Sequence, residues 1–276
     1  MQGSHATRAV QPAKIAQGSV SLVGAGPGDP ELLTLKAVKA IRRATVLLVD
    51  DLVSQDVLRY ARRSARIIHV GKRGGRVSTP QAFIHKRMVV EARRGETVVR
   101  LKGGDPAIFG RSGEEAEALR AAGIEVCVVN GISSGLTAAN ALGVPLTHRR
   151  HAHGVMLLTG HAGQSSAELH WPTLAVAAAQ GLTLVVYMGV QGLAQIQRGL
   201  LAALHPDTPA ALVQHASLAQ ERRLLTRLGS LAGDALQAGI GSPAILIVGD
   251  VLQGVQALQA APKGADAGSV AALAGG

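Results

Sequence analysis

The chain has 276 residues, 47% of them hydrophobic, with 28 Lys and Arg against 18 Asp and Glu for a formal charge of +10. That length allows two domains and a well-buried core, no apolar run reaches the ~18 residues of a membrane span, and residues 1–17 lack the apolar core of a signal peptide, so a soluble cytoplasmic protein is expected. One cysteine excludes a disulfide framework and a Cys-based metal site, few aromatics argue against single-stranded nucleic acid, and the charge excess favours a small polyanionic partner.

In chain order, strands are expected at 19–23, 45–49, 66–70, 97–101 and 125–129, separated by helical patterns at 31–43, 80–94 and 113–122. Ile84, Met88 and Ala92 recur every four residues, as one buried helix face would. This alternation predicts a largely parallel sheet whose ligand site gathers at the carboxyl ends of its strands. The informative loops lie there, at 24–30, 50–52, 71–75 and 103–110. Cys127, inside IEVCVV, is expected as a buried small hydrophobe. From about Gly131 the pattern changes to a Gly/Ser/Pro-punctuated stretch running to His153. Apolar runs follow at 155–159, 183–188, 210–214 and 244–248, with 222–227 as a further strand. They predict a second α/β domain with some antiparallel pairing. The domains are placed at 18–130 and 131–254, between loose tails at 1–17 and 255–276.

The first loop reads VGAGPGDPELLTL. Gly24 and Gly26 fit the dinucleotide fingerprint G-x-G-x-x-G, but its third glycine is here Asp29. A carboxylate would sit where a pyrophosphate lies on a helix N-terminus. The loop therefore suits a ligand that is unphosphorylated or positively charged. A nicotinamide enzyme, with Asp50 as ribose ligand, is the rival that Asp29 opposes. In KGGDP at 102–106, paired glycines permit close approach to bare backbone. Asp105 there either meets an ammonium, sulfonium or hydroxyl, or caps the next helix. Arg111 and Glu114 stand at the spacing of a surface ion pair. His151 and His153 form an H-x-H pair on one strand face with no third ligand apparent, so no metal is expected.

Taken together, VGAGPGDPELLTLKA, DLVS, VGKRGG, VVRLKGGDPAIFGRSGEEAEALRAAGI, VPLTHR and the TGH at 159–161 resemble the successive motifs of uroporphyrinogen-III C-methyltransferases, within the tetrapyrrole methylase superfamily. The resemblance spans roughly residues 20–250. It implies two α/β domains of the tetrapyrrole methylase type with the active site in the cleft between them, in a homodimer that touches neither nucleic acid nor membrane. The implied cofactor is S-adenosyl-L-methionine, released as S-adenosyl-L-homocysteine. That molecule carries a sulfonium and an ammonium but no pyrophosphate, which removes the conflict with Asp29.

Motif matching places cofactor contacts at Pro27, Gly103, Gly104, Asp105, Ile108, Ser133, Ser134, Met188, Ala216 and Ala244. It places the catalytic and substrate-holding groups at Asp50, Lys72, Arg111, Glu114 and Arg149. Arg111 and Arg149 are the implied carboxylate clamps, Lys72 an acid or anchor, Asp50 the base, and Glu114 a partner that orients Arg111 or takes a proton. The implied reaction methylates C2 and C7 of uroporphyrinogen III, giving precorrin-2 via precorrin-1 for siroheme, cobalamin or heme d1 synthesis. The many carboxylates of that substrate match the basic charge and the arginine forks. Three departures stand out: Asp51 where many members carry a basic residue, Arg150-His151 where many show Asp-Tyr, and Ala216 where many carry Gly.

Overall fold

A computed structural model describes residues 18–71, 79–161 and 169–253. The chain divides into two units, Met1–Ile132 and Ser133–Gly276.

The first unit holds β1 (Ser19–Gly24), α1 (Leu35–Arg43), β2 (Val46–Val49), β3 (Arg66–His69), α2 (Gln81–Arg93), β4 (Thr97–Lys102), α3 (Ser112–Ala121) and β5 (Val126–Val129). Its five strands are parallel, in the order β3-β2-β4-β1-β5. Parallel strands with both faces covered read as unbroken apolar runs. Accordingly Val20 and Leu22 face one buried cluster with Ile84, Met88 and Ala92, while Val23 faces another with Ala37, Ile41 and Leu47. The four-residue repeat of α2 is thus its buried face.

The second unit holds α4 (Ser134–Ala141), β6 (Gly154–Thr159), α5 (Trp171–Ala178), β7 (Leu182–Tyr187), α6 (Leu193–Leu200), β8 (Pro209–Gln214), β9 (Arg222–Arg227), α7 (Leu231–Gln237) and β10 (Ala244–Val248). The sheet order is β6-β7-β10-β8-β9; β6 and β7 are parallel and the remaining pairs antiparallel. Trp171, Ala175, Leu193, Ile196, Leu200, Leu231 and Ala235 pack against Leu184, Val186, Leu212 and Leu246 on one face.

Three expectations need correction. The helix expected over 31–43 is broken. A short 3-10 turn, Pro30–Leu32, is followed by extended Leu33, and Thr34 then caps α1 by accepting the Ala37 N–H at 3.1 Å. Threonine oxygen offers the backbone a fresh start there. Cys127 is exposed, because β5 is an edge strand paired only with β1. His151 and His153 precede β6 in a turn rather than sharing a strand face.

Glu91 on α2 is wholly buried, an arrangement that charge tolerates only with partners. Arg66 at the start of β3 reaches it at 2.5 Å, Arg87 at 2.8 Å and Arg94 at 3.4 Å. The Arg66 hydrogen bond foremost, against the opposing effect of burial, holds the Glu91 carboxyl below its ordinary pKa. A carboxyl lowered on folding contributes stability that is complete above the unfolded pKa and is lost as pH falls through the folded one. Glu91→Gln should therefore lower stability at neutral pH by about 1–2 kcal/mol, since the arginine heads are partly in water. Urea denaturation across pH 3–7 should also show a flatter acid limb in the variant than in the parent.

Candidate active site

The candidate site begins where backbone meets backbone. β1 lies between β4 and β5, so its carboxyl end meets both. Beyond the strands, Gly104 N–H donates to Gly26 O at 2.7 Å and Gly26 N–H to Gly104 O at 3.2 Å. The motifs GAGPGDP and KGGDP are therefore one zipped structure. A Cβ on Gly24 would lie 2.5 Å from Gly131 N and 2.7 Å from Gly104 O, and one on Gly131 would strike Gly104 O. Gly26 and Gly104 both take left-handed φ, at 70° and 66°. The junction permits no side chain at Gly24 or Gly131, so it presents a rim of bare peptide. Pro27 and Ile108 stand half-buried beside it.

Both acidic side chains of these loops are engaged by the protein. Asp29 Oδ1 accepts the Glu31 N–H at 2.8 Å and caps the turn that precedes α1. Asp105 is buried; its Oδ1 accepts the Ala107 N–H at 2.7 Å, and Oδ2 accepts Gly131 N–H at 3.0 Å and Asn130 Nδ2 at 3.2 Å. Asp105 thus fastens the exit of β4 to the exit of β5. Gly103 lies close under the loop after β2, where its Cβ would come within 2.9 Å of Leu52 Cβ.

Asp50 follows β2 and is partly exposed. Its Oδ1 accepts the Asp51 N–H at 2.9 Å and its Oδ2 the Arg100 Nη2 at 3.0 Å. Arg100 and Lys102 alternate along β4, so they share one face, and both are buried with Glu115 of α3. Burial first, and Arg100's charge next, pull the Lys102 ammonium below its ordinary pKa, while Glu115 opposes both. Arg100, Lys102 and Glu115 went unnoticed as a group in the sequence. The visible signal was two cations at alternate positions of an apolar strand, which demands a buried carboxylate nearby. Lys72 lies outside the described residues.

Arg111 and Glu114 form the ion pair that their spacing suggests. Arg111 Nη2 lies 2.6 Å from Glu114 Oε2 and Nε donates to Oε1 at 3.0 Å. With side chains 58% and 51% exposed, such a pair contributes a few tenths of a kcal/mol. The mutual hydrogen bond raises the pKa of Arg111 and lowers that of Glu114. Arg111 itself is left-handed at φ 54°, as is Phe109 at 51°.

In the second unit, buried Ser133 caps α4 by position, with its hydroxyl 2.7 Å from the Tyr187 hydroxyl, which also accepts the Gly135 N–H at 3.2 Å. Ser134 is the first residue of α4. Tyr187, which motif matching passed over, ends β7 and leads into Met188, left-handed at φ 55° and exposed. Ala216 is buried between left-handed His215 (53°) and Ser217 (70°). Ala244 opens β10 opposite Gln214, and Ile245 pairs with Tyr187. Met188, Ala216 and Ala244 therefore gather at one end of this sheet. Arg149 sits exposed in a turn closed by reciprocal His148–Ala152 backbone bonds of 2.8 and 2.9 Å. Among the described residues, no group of three or more His, Cys, Asp or Glu could hold a metal.

A parallel sheet ending in a glycine rim, followed by a mixed sheet with strained loop residues at one end, defines a class. The profile of the tetrapyrrole (corrin/porphyrin) methylases matches residues 19–232, and the chain belongs to that family. Over 239 residues it is 53% identical to a uroporphyrinogen-III C-methyltransferase of Pseudomonas aeruginosa, covering 86% of this chain and 96% of that one. It is 47% identical to a siroheme synthase of Edwardsiella ictaluri, covering 87% of this chain and 51% of that longer protein. The uroporphyrin-III C-methyl transferase of Thermus thermophilus, solved with S-adenyl homocysteine, aligns with a TM-score of 0.73 at 40% identity, over 86% of this chain and 99% of that one.

The glycine rim yields a paired prediction. Gly24→Ala should destabilise the fold by about 1–3 kcal/mol, because backbone atoms cannot yield as side chains do. Gly113→Ala, in α3 with nothing within 4 Å of the added carbon, should be neutral or stabilise by up to about 1 kcal/mol. Thermal melts of the two variants check both signs.

Proposed function

We propose that the chain is an S-adenosyl-L-methionine-dependent C-methyltransferase acting on uroporphyrinogen III at C2 and C7, through precorrin-1 to precorrin-2. The observation that carries the proposal is the side-chain-free rim at Gly24, Gly104 and Gly131, in a chain 53% identical to a uroporphyrinogen-III C-methyltransferase over 239 residues. Peptide groups suit the methyl donor, because a sulfonium and an ammonium need close polar contact without a bulky wall. When bound, that donor supplies an electrophilic methyl group.

The chain's own residues then have three tasks. Gly103, Gly104, Pro27 and Ile108 bind through backbone and apolar surface, while Asp105 holds their loop in shape. Ser133, Ser134, Met188, Ala216 and Ala244 are the further donor contacts that motif matching assigns. A pyrrole carbon is nucleophilic already, so no covalent enzyme intermediate is needed; orientation and proton removal suffice. Asp50 accepts the proton released after carbon attack. Arg111, Arg149 and Lys72 hold substrate carboxylates, and Glu114 keeps the Arg111 fork in place until a substrate carboxylate competes for it. The enzyme acts as a cytoplasmic homodimer and feeds siroheme, cobalamin or heme d1 synthesis.

Two measurements test this reading. Calorimetry should show S-adenosylhomocysteine binding and no NAD binding, and uroporphyrinogen III with methyl-labelled donor should yield doubly labelled product; binding of NAD alone would sink the proposal. Arg111→Ala should reduce turnover about tenfold to hundredfold, the equivalent of a charged hydrogen bond of roughly 1.5–3 kcal/mol. Arg111→Lys should rescue it only in part, because lysine lacks the planar fork. S-adenosylhomocysteine affinity should hardly change in either variant; near-normal turnover in Arg111→Ala would return the residue to a surface ion pair.

A further inference from the structure

We propose that Arg100 is a positioning residue for the Asp50 carboxylate, and that buried Glu115 anchors Arg100 in that role. The inference rests on the reading of Asp50 as proton acceptor given above.

Arg100 and Lys102 place two like charges on one buried face of β4. Such a pair is sustained only by compensating charge and directed hydrogen bonds. Glu115, 0% exposed, supplies both: Oε1 accepts Arg100 Nε at 3.2 Å and Gln81 Nε2 at 3.2 Å, while Oε2 accepts Lys102 Nζ at 2.8 Å. The Arg100 guanidinium is fixed again by Nη1 donating to Leu101 O at 3.0 Å. A planar group held at two nitrogens has no freedom left at the third. That third nitrogen, Nη2, meets Asp50 Oδ2 at 3.0 Å.

Asp50 is the outermost member of this chain of charges, with its side chain 36% exposed while that of Arg100 is 3% exposed. The Asp51 N–H holds its other oxygen at 2.9 Å. The carboxylate is thus held at both oxygens while its side chain stays partly in solvent. Two cations and two carboxylates balance, so the cluster brings no unpaired charge into the fold. An ammonium in place of Arg100 offers no fork and could not serve Glu115, Leu101 and Asp50 in one plane. Misorienting a reacting group by even a small distance costs rate rather than ground-state affinity.

A double-mutant cycle tests the inference. Arg100→Gln, Arg100→Lys, Asp50→Asn and the two double variants are compared for kcat and KM in methyl transfer, for S-adenosylhomocysteine affinity by calorimetry, and for thermal melting. Arg100→Gln should lower kcat about tenfold or more with donor-product affinity changed less than about threefold. Arg100→Lys should restore melting temperature more fully than kcat. Adding either change to Asp50→Asn should slow the enzyme no further, because the group being positioned is already gone. Should Arg100→Gln fail to fold, the Arg100→Lys cycle decides alone. Multiplying effects, or full turnover in Arg100→Lys, overturn the positioning role. An Asp50→Asn enzyme with full turnover overturns the reading of Asp50 itself, whereas a slow Asp50→Asn with multiplying Arg100 effects overturns only the positioning.

Discussion

The close approach of peptide backbone at the exits of β1, β4 and β5 is the constraint on which the first unit depends. Strand order puts β1 between the other two, so three chain segments must leave one narrow edge together. Only glycine at Gly24 and Gly131 leaves room for the Gly104 carbonyl. Once that contact forms, Asp105 can reach the N–H of Gly131 and close the loop that carries Ile108, Phe109 and Arg111. The same geometry separates this loop from a dinucleotide-binding one. In the third-glycine slot, Asp29 caps a 3-10 turn, and a second cap at Thr34 starts α1. The helix therefore begins several residues beyond the glycines, and one of its first-turn amides, that of Ala37, is already taken by the Thr34 hydroxyl oxygen.

The net charge is a poorer guide to the site than it first appears. Some of the cations are already paired: Arg66, Arg87 and Arg94 reach buried Glu91 with heads partly in water, and buried Arg100 and Lys102 meet Glu115. Arg111 is matched by Glu114, and Arg227 by Asp207. An excess of +10 is compatible with a polyanionic substrate, but exposed cations are spread along the chain, Arg42, Arg63, Arg120 and Arg149 among them, so the total points to no one position. Composition counts charges without showing which are already neutralised.

The same distinction governs how much was legible in the sequence. The strands were, because burial on both faces leaves unbroken apolar runs such as β10, which matches its expected span residue for residue; so does β9, an edge strand with an apolar pair between arginines. The IEVCVV run reads as interior as well, yet β5 lies at the sheet edge; apolar character reports strand formation, and strand order decides exposure. The break before α1 was hidden by a helical pattern that runs through Thr34. In the site, the glycines and Asp105 were visible as motif residues, but the destination of the Asp105 carboxylate was not, since Asn130 and Gly131 approach only after the sheet has formed. Arg100 and Lys102 announced a shared face through alternation. Their partner Glu115 sits on a helix beside the more conspicuous Glu114, and only its place four residues before Leu119 marks it as the one that turns inward.

Backbone strain gathers at strand ends in both units. Left-handed non-glycine residues fall at Phe109 and Arg111 after β4, at Met188 after β7, and at His215 and Ser217 after β8. Each costs of order about 1–3 kcal/mol and persists only where its surroundings over-determine it. The surroundings here do so. Tyr187 is tied to Ser133 and Gly135 just before Met188 turns; His215 N–H donates to Pro243 O at 3.2 Å, and Ser217 N–H to Glu221 Oε2 at 2.7 Å. Met188 and Ala216 are two of the positions that motif matching assigns to the cofactor. A left-handed residue reverses the peptide direction at a strand end, so the chain turns sharply as it leaves β7 at Met188 and β8 at His215. On the function proposed above, a donor held largely through peptide groups would make use of such reversals, and the change from Gly to Ala at position 216 would leave a grip that lies in the chain direction.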